Sequence, residues 1–348
     1  VEKKNIISEE HFEGLRQQGD PIADYAFLAL KKDRLLAEQF YKIDKNQSFL
    51  DATFQDDDFQ KFINHFKNKF EKLNTVQLQS GQAVFHKYTA EILGMLGFYS
   101  LPYCYAGAKG ARVLYLSKKI KENPEKRLIE TGQFVFDVSE KDAFTSGGKA
   151  LVSIARVRLM HAAARFYSTE KIQDEVAVNQ EDLLATMLSF SLISIRGLRK
   201  TGIDLTKQES LHFIQMWNDI GLLLGINPEL IPNSINEASA IERLIRKRQF
   251  KFSHEGKELT DSLLNYLSSQ ELAGFKFDTK GYMAMLLGKS VAENVGLKVS
   301  GIETSFFKNA AKARSFFAQF SEANFAGIKS QLDKTVAEKS LKAEFRAV

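Results

Sequence analysis

Cysteine is nearly absent from this chain of 348 residues: Cys104 stands alone. That rules out an internal disulfide and any zinc or iron–sulfur centre built from thiolates of this chain. Its surroundings, SLPYCYAGA, are apolar and suit an inert buried thiol; an axial metal thiolate is the alternative, ranked behind a histidine. With 5 prolines and 21 glycines, the chain has few breakers, and helical spacing of apolar residues runs nearly throughout. The expected fold class is therefore all-α. No sign of charge dominates either. The 48 Lys and Arg are interleaved with 43 Asp and Glu for a net charge of +5, which reads as solvated helix faces, not a nucleic-acid footprint. No run is long and apolar enough for a membrane span. The longest uncharged stretch, Ile92 to Ala108, holds Pro102 and several glycines and serines and reads as buried wall. The first residue is Val1, so a trimmed start and a removed leader both fit, and the expected compartment is cytoplasmic or exported, with the protein soluble. What is present in quantity is apolar substance: 44% of residues, enough for one large core. One all-α unit over residues 1–348 is expected, with a core near 80–232 and accessory helices at 1–79 and 233–348.

Along the chain, an amphipathic helix ends at Gly19 and Pro21 opens another through Leu36 or beyond. Phe59, Phe62, Phe66 and Phe70 recur at three and four and place an aromatic helix face on the core. Residues 77–99 read as one apolar helix containing His86, with Gly94 and Gly97 permitting close approach of a helix or a flat ligand. Asn179 and Asp182 cap a helix reaching about Leu198, whose Leu184, Met187, Ser191, Ser194 and Ile195 are either pocket wall or ordinary core. Thr206 and Glu209 form a capping box for the helix carrying His212 and Trp217, which Gly225 ends. Ser234 and Glu237 cap the next, whose Arg243, Arg246 and Arg248 read as a solvated face or, less strongly, a dock for an acidic electron donor. Three or four helices follow.

The chain is organised around GGKALVSIARVRLMHAAARFY, Gly147 to Tyr167. After two glycines its apolar residues keep helical spacing, and Ile154, Val157, His161 and Ala164 share a face. Three alanines follow His161, leaving room beside its ring for a flat macrocycle such as a porphyrin. Arg158 and Arg165, three and four residues either side, lie within reach of a ligand's carboxylates, such as haem propionates. The plain alternative is a hydrogen-bonded core histidine. A second stretch, NPEKRLIETGQFVFDV, starts at a proline-opened helix and puts Arg127, Glu130, Thr131 and Phe134 on one face. Arg, Glu and Thr among aromatics are paired or functional, because buried charge is costly otherwise.

With RLIET-FVFDV, GGKA, RVRLMHAAAR, NQEDLLATMLSFSL and IGLLLGINPELIP in view, the chain resembles the haem-dependent oxygenases of the latex-clearing-protein (rubber oxygenase) and MpaB type. The resemblance covers residues 80–232, and the upstream GDPIAD at Gly19–Asp24 agrees with it. It implies a globin-like helical core holding one b-type haem, with His161 as proximal iron ligand and Arg127 and Thr131 on the distal side. It also implies O₂ and an apolar, unsaturated, isoprenoid- or lipid-like substrate. Rubber-cleaving members carry a lysine where this chain has Glu130, and an acidic residue upstream of the arginine where residues 103–121 have no carboxylate. Glu130 as acid/base group on a different substrate follows from those departures, beside a plain salt bridge to Arg127. A haem-binding sensor or carrier without turnover is the alternative from another class.

Overall fold

The computed structural model of the chain describes residues 8–116, 124–269 and 278–298; the side chains of 124, 125 and 127 lie outside the described residues. Helices account for the architecture. α1 (Glu9–Leu15), α2 (Pro21–Lys32), α3 (Arg34–Tyr41), α4 (Asn46–Asp51) and α5 (Asp57–Phe70) come first. α6 (Thr75–Lys87) and α7 (Thr89–Met95) lead through a π-helical turn (Leu96–Ser100) into α8 (Leu101–Tyr105) and α9 (Ala108–Leu116). The central pair is α10 (Pro124–Ser139) and α11 (Ala150–Ser168). α12 (Gln180–Leu188), a second π turn (Ser189–Ile193) and α13 (Ser194–Lys200) form one broken rod, followed by α14 (Lys207–Leu223) and α15 (Ile235–Gln249). α16 (His254–Ser269), α17 (Thr279–Leu287) and α18 (Lys289–Asn294) close the described part. Among the described residues there is no strand, only an isolated bridge between Gly107 and Phe250. The fold is all-α.

Local chemistry explains most ends. Asn179, Thr206 and Ser234 each accept a bond from the backbone N–H three residues on, and Glu209 completes the box with Thr206. Gly202 and Gly225 stop their helices at φ +81 and +97. The rod expected over residues 21–36 is instead cut at Asp33, whose carboxylate accepts from the N–H of Leu35 and of Leu36 and so starts a new helix. The helix expected over residues 77–99 breaks at Tyr88 and then widens into the π turn. The helix expected to reach Leu198 does so only through the second π turn. Those two turns face each other. The Ser100 hydroxyl donates to Ser189 O at 2.6 Å and lies 3.2 Å from Ser194 Oγ, giving carbonyls freed by wide turns a partner.

The core is aromatic on one side. Phe59, Phe62 and Phe66 of α5 are fully buried and stack edgewise with Phe40 and Phe49, as their spacing predicts. α6 lies close on α14 because Gly81 carries no side chain; a Cβ there would come within 2.4 Å of Met216 Cβ. Buried charge ties the periphery down. Arg16, at the C-cap of α1, bonds Glu175 at 2.6 Å and Glu181 and Asp182 at 3.1 Å. Arg248 joins the same network through Glu181 at 3.0 Å and Glu13 at 2.7 Å. Arg243, Arg246 and Lys247 are exposed, as a solvated face requires, but Arg248, at 10% side-chain exposure, is tied to two other helices.

Candidate functional site

The two stretches that the sequence marks out become neighbouring helices. α11 carries His161, and α10 carries Glu130 and Thr131. Arg127 also belongs to α10, but its side chain lies outside the described residues. The chain between them turns back, and a clasp sets the register: the Ser153 hydroxyl donates to Asp137, and Gln133 donates to the other oxygen of that carboxylate at 2.8 Å. Burial holds the Asp137 carboxyl above the usual range in spite of both donors. His161 lies eight residues beyond Ser153, and Ile129 eight before Asp137. At 1.5 Å per residue each stands about 12 Å from the clasp, which brings residues 129–131 level with His161.

Around that level the packing opens. On α11, Ile154, Ala155, Leu159 and Ala162 are buried, whereas Val157, Met160, His161 and Ala164 are half-buried. On α10 every residue from Leu128 to Phe134 is half-buried, where a surface helix would alternate between a sealed and a solvated side. A Cβ added to Gly132 would meet nothing within 4 Å, and the same holds for Gly97 in the first π turn. The half-buried stripe of Leu93, Gly97, Leu101 and Cys104 is the one relieved side of the otherwise buried wall at 92–108. Burial pushes the Cys104 thiol up to about 11, so it stays protonated at neutral pH and is a poor metal ligand. His86 accepts from the Lys141 N–H at 2.9 Å, and His212 pairs with Gln208 at 2.6 Å. Glu130 has Lys126 at 3.7 Å, one turn away.

The arginines flanking His161 are placed differently from the expectation that they reach a ligand's carboxylates. Arg158 is 2% exposed and grips Asp20 with Nε and Nη2 at 2.6 and 2.9 Å, while Nη1 reaches Leu223 O at 3.3 Å. Phe62 and Phe66 cover its guanidinium at 5.5 and 5.4 Å. Arg165 bonds Asp24 at 2.6 Å and Val178 O at 3.2 Å. Both therefore serve as protein ties to the two acids of the GDPIAD motif. Burial works against the Asp20 anion, but the bond and charge of Arg158 outweigh it and hold the carboxyl below its ordinary range. Sequence reasoning marked both motifs without pairing them, and it missed the Asp137–Ser153 clasp and Gly132. Among the described residues no group of three or more His, Cys, Asp or Glu could hold a bare metal ion; a porphyrin brings four donors of its own and asks the protein for one.

This geometry defines an all-α protein of the latex-clearing fold. A solved structure of latex clearing protein in its closed state superimposes with a TM-score of 0.73, covering 92% of this chain and 91% of that one at 19% identity. The chain belongs to the ER-bound oxygenase mpaB/B′/rubber oxygenase family, whose catalytic-domain model matches residues 100–315. It is 22% identical over 248 residues to a rubber oxygenase of Streptomyces sp. (strain K30), covering 69% of this chain and only 60% of that relative's length.

Proposed function

We propose that the chain is an oxygenase that holds one b-type haem through His161 and acts with O₂ on an apolar, unsaturated molecule of isoprenoid- or lipid-like character. The observation that carries this reading is the half-burial of Leu128 to Phe134 on α10 and of Val157, His161 and Ala164 on the helix packed against it, with nothing within 4 Å of the Cβ that Gly132 lacks. A single imidazole with room on its flank fits what a porphyrin requires of a protein. When bound, haem supplies the oxygen and one-electron chemistry. His161 holds the group through a ring nitrogen, on a helix fixed from behind by Arg158 and Arg165. Leu128, Ile129, Phe134 and Val157 give an apolar lining that excludes water and favours a hydrocarbon substrate. Glu130 holds or moves a proton at its carboxylate, with Lys126 nearby to steady the anion. Thr131 offers a hydroxyl at the same level, and Arg127 a guanidinium on the same helix. Because Glu130 stands where rubber-cleaving relatives carry lysine, a small isoprenoid suits the site better than rubber itself.

The test is an absorption spectrum of the haem-reconstituted chain, wild type beside His161→Ala. Loss of the Soret band in the variant is the expected result, and identical bands refute the ligand. Oxygen uptake with squalene as probe then separates an oxygenase from a haem carrier. Glu130→Gln lowers uptake while leaving the Soret band in place.

A further inference from the structure

A cavity of about 280 Å³ lies where α2, the last turns of α11 and the segment 172–177 meet. From α11 it takes Ala162, Arg165, Phe166 and Thr169, which recur at three and four and so share one face. That face is turned away from the one carrying Val157 and Ala164, so the cavity is separate from the candidate haem site. Phe27 and Leu28 of α2 and Ile172 and Val176 of the segment supply most of its apolar wall. Ala162, Arg165, Ile172 and Ala177 are buried, while Phe166 and Thr169 are exposed and form the rim.

Among the described residues the lining holds one cation, Arg165, and two acids, Asp24 and Glu175. Glu175 is taken by Arg16 and by Lys109. Arg165 differs from Arg158 in what its fork holds. Arg158 uses Nε and Nη2 to grip both oxygens of Asp20, whereas Arg165 offers Nε to Asp24 and its Nη2 is buried with no acceptor. A buried donor left unmade is costly. Asp24, for its part, accepts Nε on Oδ1, and an ionised carboxylate offers about four acceptor positions. Burial holds its carboxyl above the usual range although Arg165 opposes this, so a further donor would steady the anion. A spare donor and a spare acceptor therefore stand at one end of an apolar cavity. A hydroxyl group supplies the complement of both, whereas a carboxylate would meet Asp24 with no cation left unmatched.

We propose that this cavity binds a neutral alcohol with a hydrocarbon body. Its hydroxyl donates to Asp24 and accepts from Arg165 Nη2, and its chain lies against Phe27, Leu28, Ile172 and Val176. A group the size of a water occupies about 30 Å³ in a liquid, which sets the ligand at roughly nine non-hydrogen atoms. The site is independent of the haem assignment: it is read by binding to the full chain, not by spectra or turnover.

The experiment is calorimetric titration of the full chain with three probes of this size: 1-octanol, heptyl methyl ether and octanoate. Octanol is expected to bind best, with the ether, which cannot donate, and octanoate each weaker by about tenfold. Asp24→Asn removes the acid that matches Arg165, so octanoate should then bind at least as tightly as octanol. Leu28→Trp fills the cavity and should abolish octanol binding; Val176→Phe fills it from the other wall and serves where Leu28→Trp does not fold, as judged by circular dichroism. Absence of octanol binding to wild type overturns the proposal, as does binding that survives the filled cavity. Equal affinity for octanol and the ether overturns the part given to Asp24. Tighter binding of octanoate to wild type overturns the assignment of a neutral ligand.

Discussion

The two sides of α11 are a controlled comparison within one helix. Its back, with Arg158 and Arg165, is tied down: two buried guanidiniums clamp Asp20 at the cap of α2 and Asp24 within it, and aromatic rings close over that of Arg158, while a cavity of about 280 Å³ opens beside Ala162. Its front, with Val157, His161 and Ala164, is left half-buried against a neighbour that is relieved along the same level. The difference shows how one helix can be held by ion pairs on one side and packed more loosely on the other.

Breaking the back should cost the most. Arg158→Ala leaves Asp20 buried without its cation and is expected to lose about 3–5 kcal/mol in chemical denaturation. Adding Asp20→Asn to that variant should restore part of the loss; a single variant within about 1 kcal/mol of wild type refutes the clamp. The pH dependence has a definite sign. Because the folded Asp20 carboxyl lies below its unfolded value, its contribution is full above the unfolded pKa and is lost as pH falls through the folded one.

A buried carboxylate without a cation sharpens the contrast. Among the described residues Asp219 bonds only Gln77, at 3.3 Å, and burial pushes it up to about 6. Its protonated form favours folding, so stability from this group is lost as pH rises through that value. Asp219→Asn should therefore stabilise by about 2 kcal/mol near pH 8 and by almost nothing near pH 4. Thermal melts across that range check it, and a gain that does not change with pH counts against the assignment.

Ser153→Ala removes a donor from the half-buried Asp137 and should cost about 1–2 kcal/mol. A melt shift well below that would mean that the clasp does not set the register of α10 on α11. The smallest stability change is expected at the front: His161→Ala should move the apoprotein's stability by less than about 1 kcal/mol, while removing the haem band altogether. A large destabilisation there would mark His161 as a core residue instead.

What the sequence made legible was short-range. The caps at Asn179, Thr206 and Ser234, the stop at Gly225 and the aromatic face of α5 all depend on residues within a few positions of one another. The break at Asp33 escaped notice because its apolar pattern continues while its carboxylate competes as a cap. The π turns escaped because they are settled by contact between two distant segments, Ser100 with Ser189 and Ser194. The arginines beside His161 were read toward a ligand's carboxylates, and the carboxylates they meet are those of Asp20 and Asp24. A guanidinium binds a propionate and an aspartate by the same fork, and Asp20 lies 138 positions away from Arg158. Arg248 was misread for the same reason, its acids being on other helices.

The clasp at Asp137 also turns α10 into a lever. Beyond it Val138 and Ser139 are sealed into the core, and Phe136 is wedged against Phe85, so the fulcrum is at that end. Displacement grows with distance from a fulcrum. A tilt about that end would therefore carry Glu130 and Thr131 farther than Gln133, while the aromatic ballast beneath stayed in place.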